Sequence, residues 1–138
     1  YSPKILGFGK DKERIPEIDI LLEENQEFSV GNLIFKTIFV PGHTSGHIAF
    51  YFKKEKVLFT GDALFSLGCG RIFEGTYEQM FNSLNLIKSF PKDTKIYCGH
   101  EYTKSNLQFC LKYNPNNNYL IDKKKVVEAR VKDRKSTI

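Results

Sequence analysis

His43, Asp62 and His100 are the residues of this chain whose types and placement could hold divalent metal ions. Imidazole and carboxylate are the usual ligands of borderline cations, and a carboxylate can give one oxygen to each of two ions. The chemistry such a cluster would serve is metal-dependent hydrolysis. Each of the three follows a glycine (Gly42, Gly61, Gly99) just past a run with the composition of a β-strand. The backbone can therefore turn sharply and bring three side chains to one sheet edge. That convergence is a stronger signal than any single residue, because a lone histidine in a turn is more often a surface or hydrogen-bonding group. His47, four residues after His43, is read as a hydrogen-bonding or packing residue behind the site, since Ile48 begins a strand and points the chain away. Glu74 and Glu101 lie near the cluster in sequence, but neither has a partner at a telling spacing. Cys69 between Gly68 and Gly70 fits a tight loop, and no local histidine supports a nucleophilic role for it.

The elements that must position these residues follow from periodicity. Leu33 to Val40 (LIFKTIFV) is rich in β-branched and aromatic residues and stops at Pro41-Gly42, as a strand does. Ile48 to Phe52 and Val57 to Thr60 are two further strands joined by the charged hairpin loop Lys53-Lys54-Glu55-Lys56. Tyr77, Met80, Phe81, Leu84, Ile87 and Phe90 fall on one face of a helix over residues 76–90. Thr76 with Gln79 makes a capping-box pattern and Pro91 ends that helix. Lys95 to Cys98 is a short strand, Thr103 to Tyr113 a helix, and Asn118 to Arg134 a second helix after the break at Asn114-Pro115-Asn116. The first thirty residues, broken by Pro3, Gly7, Gly9 and Pro16, predict a loop plus one short strand around residues 18–22, closed by a turn at Glu23-Glu24-Asn25-Gln26.

At 138 residues, 41% hydrophobic and 14% aromatic, the chain suits one packed unit. Its net charge of +5 is concentrated from Leu120 onward, where seven basic residues (Lys123, Lys124, Lys125, Arg130, Lys132, Arg134, Lys135) face three acids. The main body is nearly neutral, which gives nucleic-acid binding little support, and the basic stretch is read as a solvated helix face before it is read as a site for an anion. Three cysteines with no close pairing (Cys69, Cys98, Cys110) fit a reduced, cytoplasmic setting. No stretch approaches the roughly 18 apolar residues of a membrane helix, and the first residues do not read as a signal peptide. The chain starts in mid-pattern without Met, and a further N-terminal segment is expected.

Four segments taken together carry a resemblance: PGHTSGH at 41–47, FTGDALF at 59–65, GCGRIFEGT at 68–76 and CGHEYT at 98–103. In order and spacing they resemble the glyoxalase II family, the hydroxyacylglutathione hydrolases of the metallo-β-lactamase superfamily, from about Ile34 to the C-terminus. PGHTxGH and TGD are widespread in that superfamily; GCGR with FEGT and GHEYT points to glyoxalase II in particular. The resemblance implies an α/β chain: the C-terminal half of an αββα sandwich over residues 1–113, followed by the start of a helical glutathione-binding region over 114–138. It implies hydrolysis of S-lactoylglutathione and related glutathione thioesters by a hydroxide shared between two metal ions, zinc first, with iron or manganese as alternatives. No catalytic side chain is then needed beyond the metal ligands. His43 would bind the first ion, Asp62 would bridge, His100 would bind the second, and Arg71, Phe73 and Tyr102 would meet the glutathione moiety. Phe73 stands where some members carry tyrosine. The family's HxHxDH motif, which supplies four further ligands, is absent, since His43, His47 and His100 are the only histidines. Two protein ligands per ion fall short of the three of a catalytic zinc site. The competing readings are a non-catalytic remnant and a relative resembling the persulfide dioxygenases. Half a sandwich also predicts self-association, or pairing with a complementing chain, through an uncovered sheet face.

Overall fold

The computed structural model describes residues 2–133. Its strands and helices run β1 (Leu6–Phe8), β2 (Ile20–Leu22), β3 (Glu27–Val30), β4 (Leu33–Phe39), β5 (Ile48–Phe52), β6 (Val57–Gly61), α1 (Tyr77–Lys88), β7 (Lys95–Cys98), α2 (Thr103–Tyr113) and α3 (Asn118–Lys132). Five of the strands form one sheet in the order β3-β4-β5-β6-β7. Neighbours are antiparallel except β6 and β7, which are parallel and joined through α1.

The alternation of side chains along these strands decides which face carries the core. The register sets Ile38 opposite Ala49, Tyr51 opposite Leu58, and Leu58 opposite Ile96. This row meets Ile87 of α1 in the main hydrophobic cluster with Val40 and Ala63, and Phe90 packs edge-on against Tyr51 at 4.5 Å between ring centres. The opposite face is aromatic. Phe35, Phe50, Phe52, Phe59 and Tyr97 make ring contacts of 4.9 to 5.6 Å across four strands. No described helix covers the outer end of that row, where Phe59 is 43% and Tyr97 51% exposed.

Most expected elements lie where the sequence puts them. Thr76 caps α1 with the reciprocal Thr76–Gln79 bonds of a capping box, and the helix ends at Lys88, two residues short of Phe90, with Ser89 as C-cap. Helix α3 starts after its N-cap Asn117, whose side chain accepts the Leu120 amide. The expected helix end at Arg134, the basic Lys135 and the terminal Ser136-Thr137-Ile138 lie outside the described residues. Two strands were not expected. Strand β1 pairs in parallel with β2, and β3 pairs with β4, from segments only three and four residues long. Such short runs carry no readable period; pairing partners make them strands. Phe8 of β1 is buried and stacks on Phe39 at 5.0 Å, which seats this N-terminal pair on the end of β4. Helices α2 and α3 hold a second small cluster, Leu107, Leu120 and Val127, against Leu67 in the loop that follows β6. Among the described residues no helix is long and apolar enough to cross a membrane.

Candidate metal centre

The ends of β4, β6 and β7 deliver His43, Asp62 and His100 to one side of the sheet. Gly61, at φ 51°, closes β6 in a left-handed conformation that an L residue adopts only at a cost, and Asp62 leaves the sheet immediately after it. Gly99 does the same service by lack of bulk: a Cβ there would sit 2.6 Å from Asp62 Oδ1.

Asp62 stands between the two histidines. Its Oδ2 lies 3.4 Å from His43 Nε2 and its Oδ1 lies 3.5 Å from His100 Nε2. One carboxylate oxygen thus faces each imidazole, as a bridging role requires. The tautomer of His43 follows from its other nitrogen, which is 2.7 Å from the Arg71 carbonyl oxygen. A carbonyl only accepts, so Nδ1 carries a proton, and in the neutral ring Nε2 turns its lone pair toward a carboxylate oxygen. Two acceptors facing each other call for a cation, either a proton or a metal ion, between them. Atoms 3.4 to 3.5 Å apart are close enough that each pair could hold one ion at ligand lengths of about 2.0–2.1 Å. The donor chemistry and spacing fit two ions sharing Asp62, with two protein ligands each. Among the described residues no three His, Cys, Asp or Glu side chains gather around a single point.

His47 takes the supporting place expected for it. Its Nε2 accepts the Asp62 backbone N–H at 3.0 Å, so that nitrogen is already engaged. Burial holds this imidazole below the ordinary histidine pKa, with His43 adding to the effect whenever that ring is charged, and so favours the neutral form that bond requires. His100 is positioned differently: Tyr102 stacks on it at 5.0 Å and Phe65 meets it edge-on at 6.0 Å. Phe73 lies against His43 at 5.0 Å and is 68% exposed. Arg71, Phe73, Tyr102 and Cys69 line, with the three candidate ligands, a cavity of about 580 Å³. The three residues tied to glutathione by resemblance therefore border the same space as the ligand cluster.

One sequence expectation needs correcting. Glu74, read as having no partner, receives the Ser45 amide at 2.8 Å and both terminal nitrogens of Arg14, at 2.8 and 2.6 Å. Arg14 lies in a stretch read as loop, and a pairing across 60 residues leaves no trace in local spacing.

A mixed sheet backed by a helix is the architecture the comparisons also return. The sequence profile of the metallo-beta-lactamase superfamily matches residues 2–100, and the chain belongs to that superfamily, in which divalent-metal binding is the general property. The solved structure of ETHE1 from Myxococcus xanthus shares the fold, with a TM-score of 0.64 and 30% identity over 72% of this chain and 43% of that one. Among curated relatives, the hydroxyacylglutathione hydrolase of Pelagibacter ubique is 51% identical over 138 residues, 100% of this chain and 58% of that protein. The hydroxyacylglutathione hydrolase of Prochlorococcus marinus is 49% identical over 136 residues, 98% of this chain and 55% of that protein. The chain thus spans about half the length of the curated relatives it matches.

Proposed function

We propose that this chain supplies one half of a two-ion site that hydrolyses glutathione thioesters, with S-lactoylglutathione as the substrate that the relatives' names suggest. The observation that carries this reading is the division of Asp62, one oxygen to His43 and the other to His100. In it, His43 and Asp62 hold one ion, Asp62 and His100 the other, with zinc the first choice and iron or manganese the alternatives. Ions of this kind supply two things, a lowered pKa of water and polarisation of a carbonyl, so no protein nucleophile is needed. The remaining work falls to the chain's own side chains. The Arg71 carbonyl keeps His43 in the tautomer that ligates. The His47 imidazole fixes the Asp62 backbone. The Arg71 guanidinium offers a fork for a glutathione carboxylate, and the exposed rings of Phe73 and Tyr102 flank the same space. Phe73 has no hydroxyl, so it contributes contact and no hydrogen bond. Further ligands come from outside these residues, because three per ion is the usual number at catalytic zinc.

The test joins this chain to the part of the Pelagibacter protein that the match leaves uncovered and follows release of glutathione thiol from S-lactoylglutathione. Turnover that disappears with Asp62→Ala and with His100→Ala is expected. A folded, metal-loaded chimera that leaves glutathione thioesters intact would overturn the reading.

A further inference from the structure

The loop that carries His43 is held from one side by residues 71–75: Phe73 N–H donates to the His43 carbonyl at 3.1 Å and Gly75 N–H to the Gly42 carbonyl at 3.2 Å. Glu74 lies between the two donors, Phe73 and Gly75, and takes no part in either bond. Its carboxylate instead accepts both the amide and the hydroxyl of Ser45, at 2.8 and 3.1 Å. The same carboxylate takes a two-point ion pair from Arg14, and Arg14 also donates to Ser45 Oγ and to Asp11 Oδ1, each at 3.1 Å. Asp11 is pressed onto the same loop: a Cβ on Gly46 would overlap its carboxylate. The Ser45 amide first, with help from its hydroxyl and from Arg14, holds the Glu74 carboxyl below the usual carboxylate range, so the pair is charged near neutral pH.

We propose that Arg14 and Glu74 form a latch that positions His43, with Glu74 and Arg14 acting as positioning residues for the metal centre. Three stretches of chain meet at this one carboxylate: the turn after β1, the PGHTSGH loop and the strip whose Arg71 carbonyl sets the His43 tautomer. Tension at Ser45 is passed over two residues to His43, while the strip fixes its Nδ1. Removing the carboxylate frees the Ser45 amide and leaves the loop tied to the strip by the two backbone bonds alone, so the Nδ1–H bond to Arg71 loosens and Nε2 loses its aim at Asp62. The idea rests on reading His43 as a ligand, but the tautomer it sets in the neutral ring can be measured without metal.

The experiment is nitrogen NMR of the chain labelled with ¹⁵N in its histidines, followed by zinc titration calorimetry. Wild type is expected to show His43 as one tautomer, protonated at Nδ1. In Glu74→Ala the His43 signals move toward a tautomer mixture while those of His100, on the far side of Asp62, stay in place. Glu74→Gln, which keeps an acceptor for Ser45, recovers part of the shift. Zinc affinity falls about 10- to 100-fold in Glu74→Ala, the usual effect of losing an outer-shell partner. Unmoved His43 signals in Glu74→Ala, or equal movement at His43 and His100, would overturn the latch. If Glu74→Ala does not fold, Arg14→Gln is judged by the same two signals. Failure of the wild-type chain to bind zinc would sink the metal assignment and leave the imidazole result standing on its own.

Discussion

Asp62 is the residue on which the two halves of the cluster depend, and its neighbours shape what substitution there does. His43 is only 17% exposed and has its Nδ1 engaged, whereas His100 is 52% exposed and held by aromatic rings. Under the proposed two-ion reading, removing the carboxylate takes one ligand from each ion at once. In a protein completed with the relatives' remaining segment, Asp62→Ala is expected to remove most hydrolytic activity. His47→Ala is expected to cost much less, because it removes one neutral hydrogen bond worth about 1 kcal/mol. Initial rates with S-lactoylglutathione check both; equal losses would mean that His47 acts as a ligand. At this scale the sequence was informative wherever a residue type coincided with a strand end. The convergence of His43, Asp62 and His100 was legible because glycine and a β-rich run precede each. Glu74 was not, because what defines it is Arg14, and only the folded chain brings the two together.

The elements differ in how much of their signal is local. Helix α1 carries its own start in Thr76 and Gln79 and its own period in Met80, Leu84 and Ile87, so it could be read without its neighbours. Thr76→Ala should lower stability by about 1 kcal/mol through loss of the cap, read as a shift in the urea midpoint. A larger loss would mean that Thr76 also supports the adjoining 71–75 strip. Strands β1 and β3 were hidden for the opposite reason: LGF and EFSV become strands only by pairing with β2 and β4. The contact between the turn after β1 and the His43 loop has a pH signature. Because the Glu74 carboxyl is held low in the folded chain, the unfolded chain takes up the proton first as the pH falls. The stability this contributes is complete above the ordinary carboxylate pKa and is lost as the pH drops through it toward the lowered value. Melting of wild type against Glu74→Gln between pH 7 and pH 3 should show the two converging at the acid end; a constant difference would deny Glu74 that role.

At the scale of the molecule, one face of the five-stranded sheet is packed on α1 and the other presents a row of rings ending at the half-exposed Phe59 and Tyr97. Exposed aromatic surface of this kind seeks cover. Size-exclusion chromatography of the 138-residue chain should show species larger than a monomer, and a cooperatively melting monomer would contradict that expectation. LIFKTIF, IAFYF and VLFTG are apolar almost throughout, so the strands were legible in sequence but their two faces were not; what covers the aromatic one is not written there, because these residues specify only their own side of that contact. The proposed site turns on Asp62 serving two ions, one with His43 and one with His100. Metal content of the completed protein, measured by elemental analysis, tests this most directly. Two ions per chain are predicted, falling to one in His43→Ala and to one in His100→Ala, and below one in Asp62→Ala; a single ion in the unsubstituted protein, or two retained after Asp62→Ala, would contradict it.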